Sequence, residues 1–233
     1  MRKRVSSAGF ERDGSPVRAL AAAAVAITVS LSLYFPKQDD GSGAVLGGIL
    51  AFAAAAIGLA AVRDVRPLPA RSALERARLM GMALAFGVAL GFGNLAANYA
   101  VASLDPAIRA QMIEQWARFS AWSAVFAGPL VEEIAYRLVI MGGTAWVVSR
   151  FVPDRRVVFT IALAVSSVLF GIAHILPGSR PTTGAVHALG VAVKSSAAGV
   201  ALGWVFWRGG LPYSIACHGM ANAVHLLAWP VIF

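Results

Sequence analysis

Along the chain, apolar runs of about twenty residues alternate with short polar breaks rich in Arg, Pro and Gly. An α-helix needs runs of that length to cross a hydrocarbon core of about 30 Å. The pattern predicts spans at Arg18–Phe35, 44–62, 79–101, 157–176, 185–206 and 211–233, with a longer apolar stretch over 119–148. Residues 107–118 alternate polar and apolar at helical spacing and read as an interfacial helix. Gly128-Pro129 falls inside the 119–148 stretch, so a kink or a fresh helix start is expected at 129. The expected fold is all-α, a polytopic membrane bundle of about seven to eight transmembrane helices.

Composition agrees. The chain has 233 residues, 58% hydrophobic and 13% charged, where a soluble domain is nearer one quarter charged. Its net charge of +9 comes largely from Arg in the first 16 residues and in the loops 63–78, 149–156 and 207–208. That distribution fits the positive-inside rule rather than nucleic-acid binding. It sets these loops, and the N-terminus, on the cytoplasmic side of what is expected to be a prokaryotic cytoplasmic membrane. Residues 1–16 read as a disordered basic tail and 17–233 as a single helical membrane domain. Arg18–Phe35 is long for a signal-peptide core and no small-residue cleavage site follows it, so a retained span is expected. A single cysteine, Cys217, excludes an internal disulfide and a multi-Cys metal site, and reads as a small buried apolar residue.

Ionisable residues inside apolar segments are costly and usually functional. Glu132, Glu133 and Arg137 break the 119–148 run. Glu133 and Arg137 are four apart and share a helix face, whereas Glu132 is rotated by about 100° and can point into a cavity. This separates a structural acid from a free one, and burial could tune Glu132 as a general base. Phe170 precedes His174 by one turn, and His218 precedes Asn222 by one turn. Such groups can hold a metal or a water, or bind a developing oxyanion. Each pair taken alone could equally be a packing hydrogen bond. Asn94 and Asn98 share a face of their span and read as interhelical glue. His187 is expected at a polar helix start. His225 lies on roughly the face of His218, near the end of its span.

Together, Glu-Glu-x-x-x-Arg, Phe-x-x-x-His and His-x-x-x-Asn, on three apolar segments in that order, resemble the CPBP family. These are the CAAX-protease and bacteriocin-processing intramembrane peptidases, which include the type II CAAX prenyl endopeptidases. The resemblance covers about 119–226. It implies that Glu132 activates water, that His174, His218 and Asn222 line the site as metal ligands or oxyanion contacts, and that Glu133, Arg137 and Phe170 support it. The implied metalloprotease chemistry would put a Zn²⁺ on His174, His218 and Asn222, although residue types are equally compatible with a metal-free reaction. The implied partners are the lipid bilayer and a membrane-anchored or hydrophobic peptide, of CAAX type in the eukaryotic members. The competing expectation is a non-enzymatic membrane protein, a transporter or immunity scaffold, whose polar residues only hold helices together. Other protease classes fit poorly: there is no His-Glu-x-x-His, no Gly-flanked serine nucleophile paired with a suitable His, and Asp64 and Asp105 fall in loops.

Seven crossings would put His174 near the outer end of its span and His218 only about 10 Å from the inner end of its own. Either 185–206 is re-entrant or broken, or the helices tilt and start elsewhere than the hydropathy implies.

Overall fold

A computed structural model describes residues 72–117, 121–176, 182 and 184–232. The expected tail at 1–16 and the spans at 18–35 and 44–62 lie outside the described residues.

Helix α1 spans Ala73–Ala102. It begins six residues before the hydropathy boundary because Ser72 and Glu75 form a capping box. The Ser72 hydroxyl accepts from the Glu75 amide at 3.2 Å, and the Glu75 carboxylate accepts from the Ser72 amide at 2.8 Å. Arg76 and Arg78, expected in a loop, therefore belong to the first turns of a helix. Asp105 accepts from the Ala107 amide and starts α2, Pro106–Ala117. Ile108 and Met112, four apart, are buried against Leu95, Ala102 and Trp229, while Arg109 and Glu114 face outward. The amphipathic helix expected at 107–118 is thus present.

The long apolar stretch does not restart at Pro129. It runs as a π-helical turn, π1 (Ser123–Ala127), then α3 (Gly128–Glu133), a second π-helical segment, π2 (Ile134–Met141), and α4 (Gly142–Val148). A proline clashes with the preceding turn and donates no amide hydrogen bond. The wider π turn just before it accommodates both defects, so the chain stays helical across Pro129 and makes no fresh start there.

Helix α5, Arg155–Ala173, is capped by Asp154, which accepts from the Arg156 amide at 2.8 Å. Helix α6 spans Gly184–Gly209 and α7 spans Leu211–Ile232. They meet at Gly210, whose φ of +102° is a left-handed conformation that glycine adopts at no steric cost. Helices α1, α5, α6 and α7 are long and apolar enough to cross a membrane. Among the described residues every element is helical and four helices are of membrane-spanning length, so the protein is a helical membrane protein; the seven to eight helices expected are not reached there, and two of those expected spans lie outside the described residues.

Glycines set the packing. Along α5 and α6 the pairs Leu163–Gly203, Ser167–Gly199 and Gly171–Ala192 run in opposite senses, so these helices are antiparallel. Along α1 and α7, Gly87 abuts Cys217 and Met220, and Gly91 abuts Ala221 and Val224, so these two are parallel. A Cβ at Gly91 would lie 2.7 Å from Val224 Cβ and 2.8 Å from the Ala221 carbonyl oxygen. Gly91→Val should therefore destabilise the protein by about 1–3 kcal/mol through overpacking. Thermal unfolding in detergent checks this against Gly93→Ala, where nothing lies within 4 Å.

The structure overturns a re-entrant or broken course over 185–206, because α6 is one continuous helix of 26 residues. At 1.5 Å per residue it is about 39 Å long, whereas α5 is about 28 Å. The last turn of α5 packs on Ala192 and Ser196, so residues 184–191 of α6 run on beyond it. His174, at the end of the short helix, consequently lies against the body of α6. Unequal helix lengths, and not a broken span, bring His174 toward His218.

Candidate active site

Glu133 ends α3 with its side chain fully buried, and every oxygen of its carboxylate is engaged. Oε2 accepts from Arg137 Nε at 3.0 Å and from the Ser214 hydroxyl. Oε1 lies 3.0 Å from His218 Nδ1. A carboxylate only accepts, so Nδ1 carries the proton of that bond. Arg137 is equally buried. It donates through Nη1 to Ser166 at 3.0 Å, and the Ser166 hydroxyl donates to the Tyr136 carbonyl at 2.8 Å. The guanidinium also lies over the Phe170 ring, 5.2 Å from its centroid. The i, i+4 pair expected from spacing is present, and it is the core of a network joining α3, π2, α5 and α7.

Glu132 is rotated out of that network. Its side chain is 33% exposed, and its Oε2 lies 3.8 Å from His218 Nε2. That separation is too long for a direct hydrogen bond and suits a bridging water. His218 is therefore held by one carboxylate at Nδ1 and presents Nε2 toward the other.

Phe170 is central. Its ring meets Tyr136 edge-on at 5.0 Å, His174 at 4.5 Å and His218 at 6.1 Å. His174 caps α5, and its Nδ1 lies 2.7 Å from the Phe170 carbonyl oxygen. A carbonyl only accepts, so Nδ1 is protonated there and Nε2 carries the lone pair of the neutral ring. Asn222 donates through Nδ2 to the Ala124 carbonyl in π1 at 2.8 Å, which sets the amide at the edge of the same space. Glu132, His174, His218 and Asn222 all line one cavity of about 240 Å³, together with Lys194 and His225.

Several residues here were not singled out by motif. Ser214 stands one turn before His218, and Ser166 one turn before Phe170, so helical spacing alone could have found both. Cys217 is buried against Ala83, Leu202 and Val205, as expected of a small apolar residue. His187 lies in the first turn of α6, the helix start expected for it, but its side chain is buried there. Asn98 is glue as expected, bridging α6 and α7 through Lys194 and His225.

The donor set does not fit a zinc ion well. Among the described residues no three His, Cys, Asp or Glu side chains converge into a metal-holding group. In the expected set the third ligand is the neutral amide of Asn222, which differs from the usual His, Cys and carboxylate donors.

The fold and site define a helical membrane protein whose bundle encloses a carboxylate–imidazole centre. Residues 114–224 match the model of the family described as Rce1-like, type II CAAX prenyl endopeptidase. Over that stretch the chain is similar to the CAAX-protease family, which supports a membrane endopeptidase of the hydrolase class. No curated protein and no solved structure gives a significant match to the chain.

Proposed function

We propose that the protein is an intramembrane endopeptidase that hydrolyses a peptide bond in a membrane-anchored or hydrophobic substrate, including prenylated CAAX-type termini, with water activated by Glu132. One observation carries the reading. Of two adjacent glutamates, one is immobilised by Arg137, Ser214 and His218, and its neighbour faces the cavity shared by His174, His218 and Asn222.

In this mechanism Glu132 accepts a proton from a water bound beside His218 Nε2, and the water oxygen attacks the scissile carbonyl carbon. Asn222 commits one N–H to Ala124, and its second N–H supports the developing oxyanion. His174, fixed through its Nδ1, orients the water or the carbonyl from the Phe170 side. As the C–N bond breaks, protonated Glu132 returns its proton to the leaving amine. The products are a carboxylate and an amine, and every proton is accounted for by side chains of this chain. The donor set fits zinc poorly, and Glu132, His174, His218 and Asn222 supply the proton transfer and oxyanion contacts themselves.

The test is hydrolysis of a fluorescently labelled, S-farnesylated peptide by the purified protein in nanodiscs. Wild type is expected to cleave it. Asn222→Ala should lower kcat by about 10²–10³, the usual effect of removing one oxyanion donor. No cleavage by wild type, or an unchanged kcat in the variant, counts against the reading.

A further inference from the structure

Lys194 is the single Lys or Arg among the described side chains lining the cavity, and it sits midway along the membrane-length helix α6. A charge at such a position is expensive and is retained where it has a task. Its placement is built rather than incidental. Nζ donates to Asn98 Oδ1 at 2.7 Å, and an ammonium can only donate, so the orientation of the Asn98 amide is fixed. Asn98 Nδ2 then faces His225 Nε2 at 3.3 Å. The His225 ring packs on both Trp116 at 4.3 Å and Trp229 at 5.1 Å, and the two indoles also touch each other at 5.2 Å. Two indoles therefore hold an imidazole, which holds an amide, which holds the ammonium at the cavity wall.

We propose that Lys194, positioned by Asn98 and His225, is a binding site for a carboxylate, and that the carboxylate it takes is the free C-terminus of the peptide being cut. The inference rests on the peptidase reading of the cavity. His225 is seven residues beyond His218 on α7, about 10 Å along the axis, so the Lys194 cluster and the Glu132–His218 pair lie a few extended residues apart. The cavity, about 240 Å³, is smaller than the roughly 300–1,000 Å³ of sites for drug-sized ligands. It suits the end of a chain better than a chain running through. A peptide backbone is neutral except at its ends, so a cation there favours a terminal carboxylate. Asn94, one turn before Asn98, lines the same cavity and offers a second amide to it.

The test compares one labelled, S-farnesylated peptide as its free acid, as its C-terminal amide, and as the amide with an Asp near the C-terminus. Wild type should cleave the free acid at least about tenfold better in kcat/KM than the amide, chiefly through KM. Lys194→Met should remove that preference by lowering the free acid to the amide's level, and Lys194→Arg should keep most of it. Binding of the same peptides to the Glu132→Gln protein, read by fluorescence polarisation, should show the same preference without hydrolysis. Equal handling of acid and amide by wild type overturns the proposal, and so does a preference that survives Lys194→Met. Rescue of the amide by the Asp would assign the site to side-chain carboxylates instead and overturn the terminal assignment. If the Glu132→Gln protein binds the free acid selectively but wild type cleaves nothing, the carboxylate site stands and the peptidase reading falls.

Discussion

Glu132→Gln should abolish peptide hydrolysis, with kcat down by about 10²–10⁴-fold, while the protein stays folded. The size follows from the role, since a positioned general base contributes about that much. The amide keeps the shape of the side chain and can still touch a water, but it cannot take a proton from it. The structure predicts tolerance because Glu132 is one-third exposed and stands 3.8 Å from its nearest ionic neighbour, His218. Substitutions away from buried networks usually cost within about 0.5 kcal/mol. Thermal unfolding in detergent should accordingly match wild type, and the labelled peptide should stay intact. Cleavage at the wild-type rate would remove Glu132 from the chemistry and favour a scaffold whose polar residues only join helices.

Arg137→Met should have the opposite profile, with a large loss of stability and inactivity as a consequence. Its guanidinium is fully buried beside a fully buried Glu133 carboxylate, 3.0 Å away. Removing one partner of such a pair costs about 3–5 kcal/mol, because the other charge is left without compensation in a low dielectric. Ser214 and His218 still hydrogen-bond Glu133, but a hydroxyl carries no charge to offset it. The double variant Glu133→Leu/Arg137→Met removes both charges together and should recover much of the lost stability. Ser166 keeps the Tyr136 carbonyl as a partner in that variant, and Ser214 keeps the Leu202 carbonyl. Hydrolysis should not return with stability, since His218 Nδ1 loses the carboxylate that fixes it. Unfolding midpoints beside hydrolysis rates separate the two effects. A single Arg137→Met variant as stable as wild type would show that the pair does not compensate charge inside the bundle.

These two variants differ although their residues lie on one short stretch, and spacing alone anticipated the difference. A four-residue interval puts Glu133 and Arg137 on one helix face, and a 100° step turns Glu132 away from it. Local geometry repeats whatever surrounds it, so these inferences needed no tertiary knowledge. The one-turn pairs Phe170–His174 and His218–Asn222 are legible for the same reason, and so are the apolar runs that became α1, α5, α6 and α7. The order of the motifs along the chain was also enough to suggest the family.

The remainder depended on contacts between segments far apart in sequence. Hydropathy reports average polarity and not hydrogen bonds, so it placed the start of α1 six residues late, where the Ser72–Glu75 capping box sets it. Nor could it register the π-helical turns around Pro129, which come from how one backbone relieves a local clash. The apparent conflict in depth between His174 and His218 came from treating every span as equal in length. It disappears because α5 ends early against the body of a continuous α6. By itself the sequence determined the helical membrane class and which side chains share a face, because both follow from local composition and a fixed 3.6-residue period. Only the tertiary structure decided that Glu133 is bound from three sides, that Glu132 opens onto the same cavity as His174, His218 and Asn222, and that Lys194 stands at its wall. Those facts depend on which helices pack together and at what register, and no local periodicity encodes either.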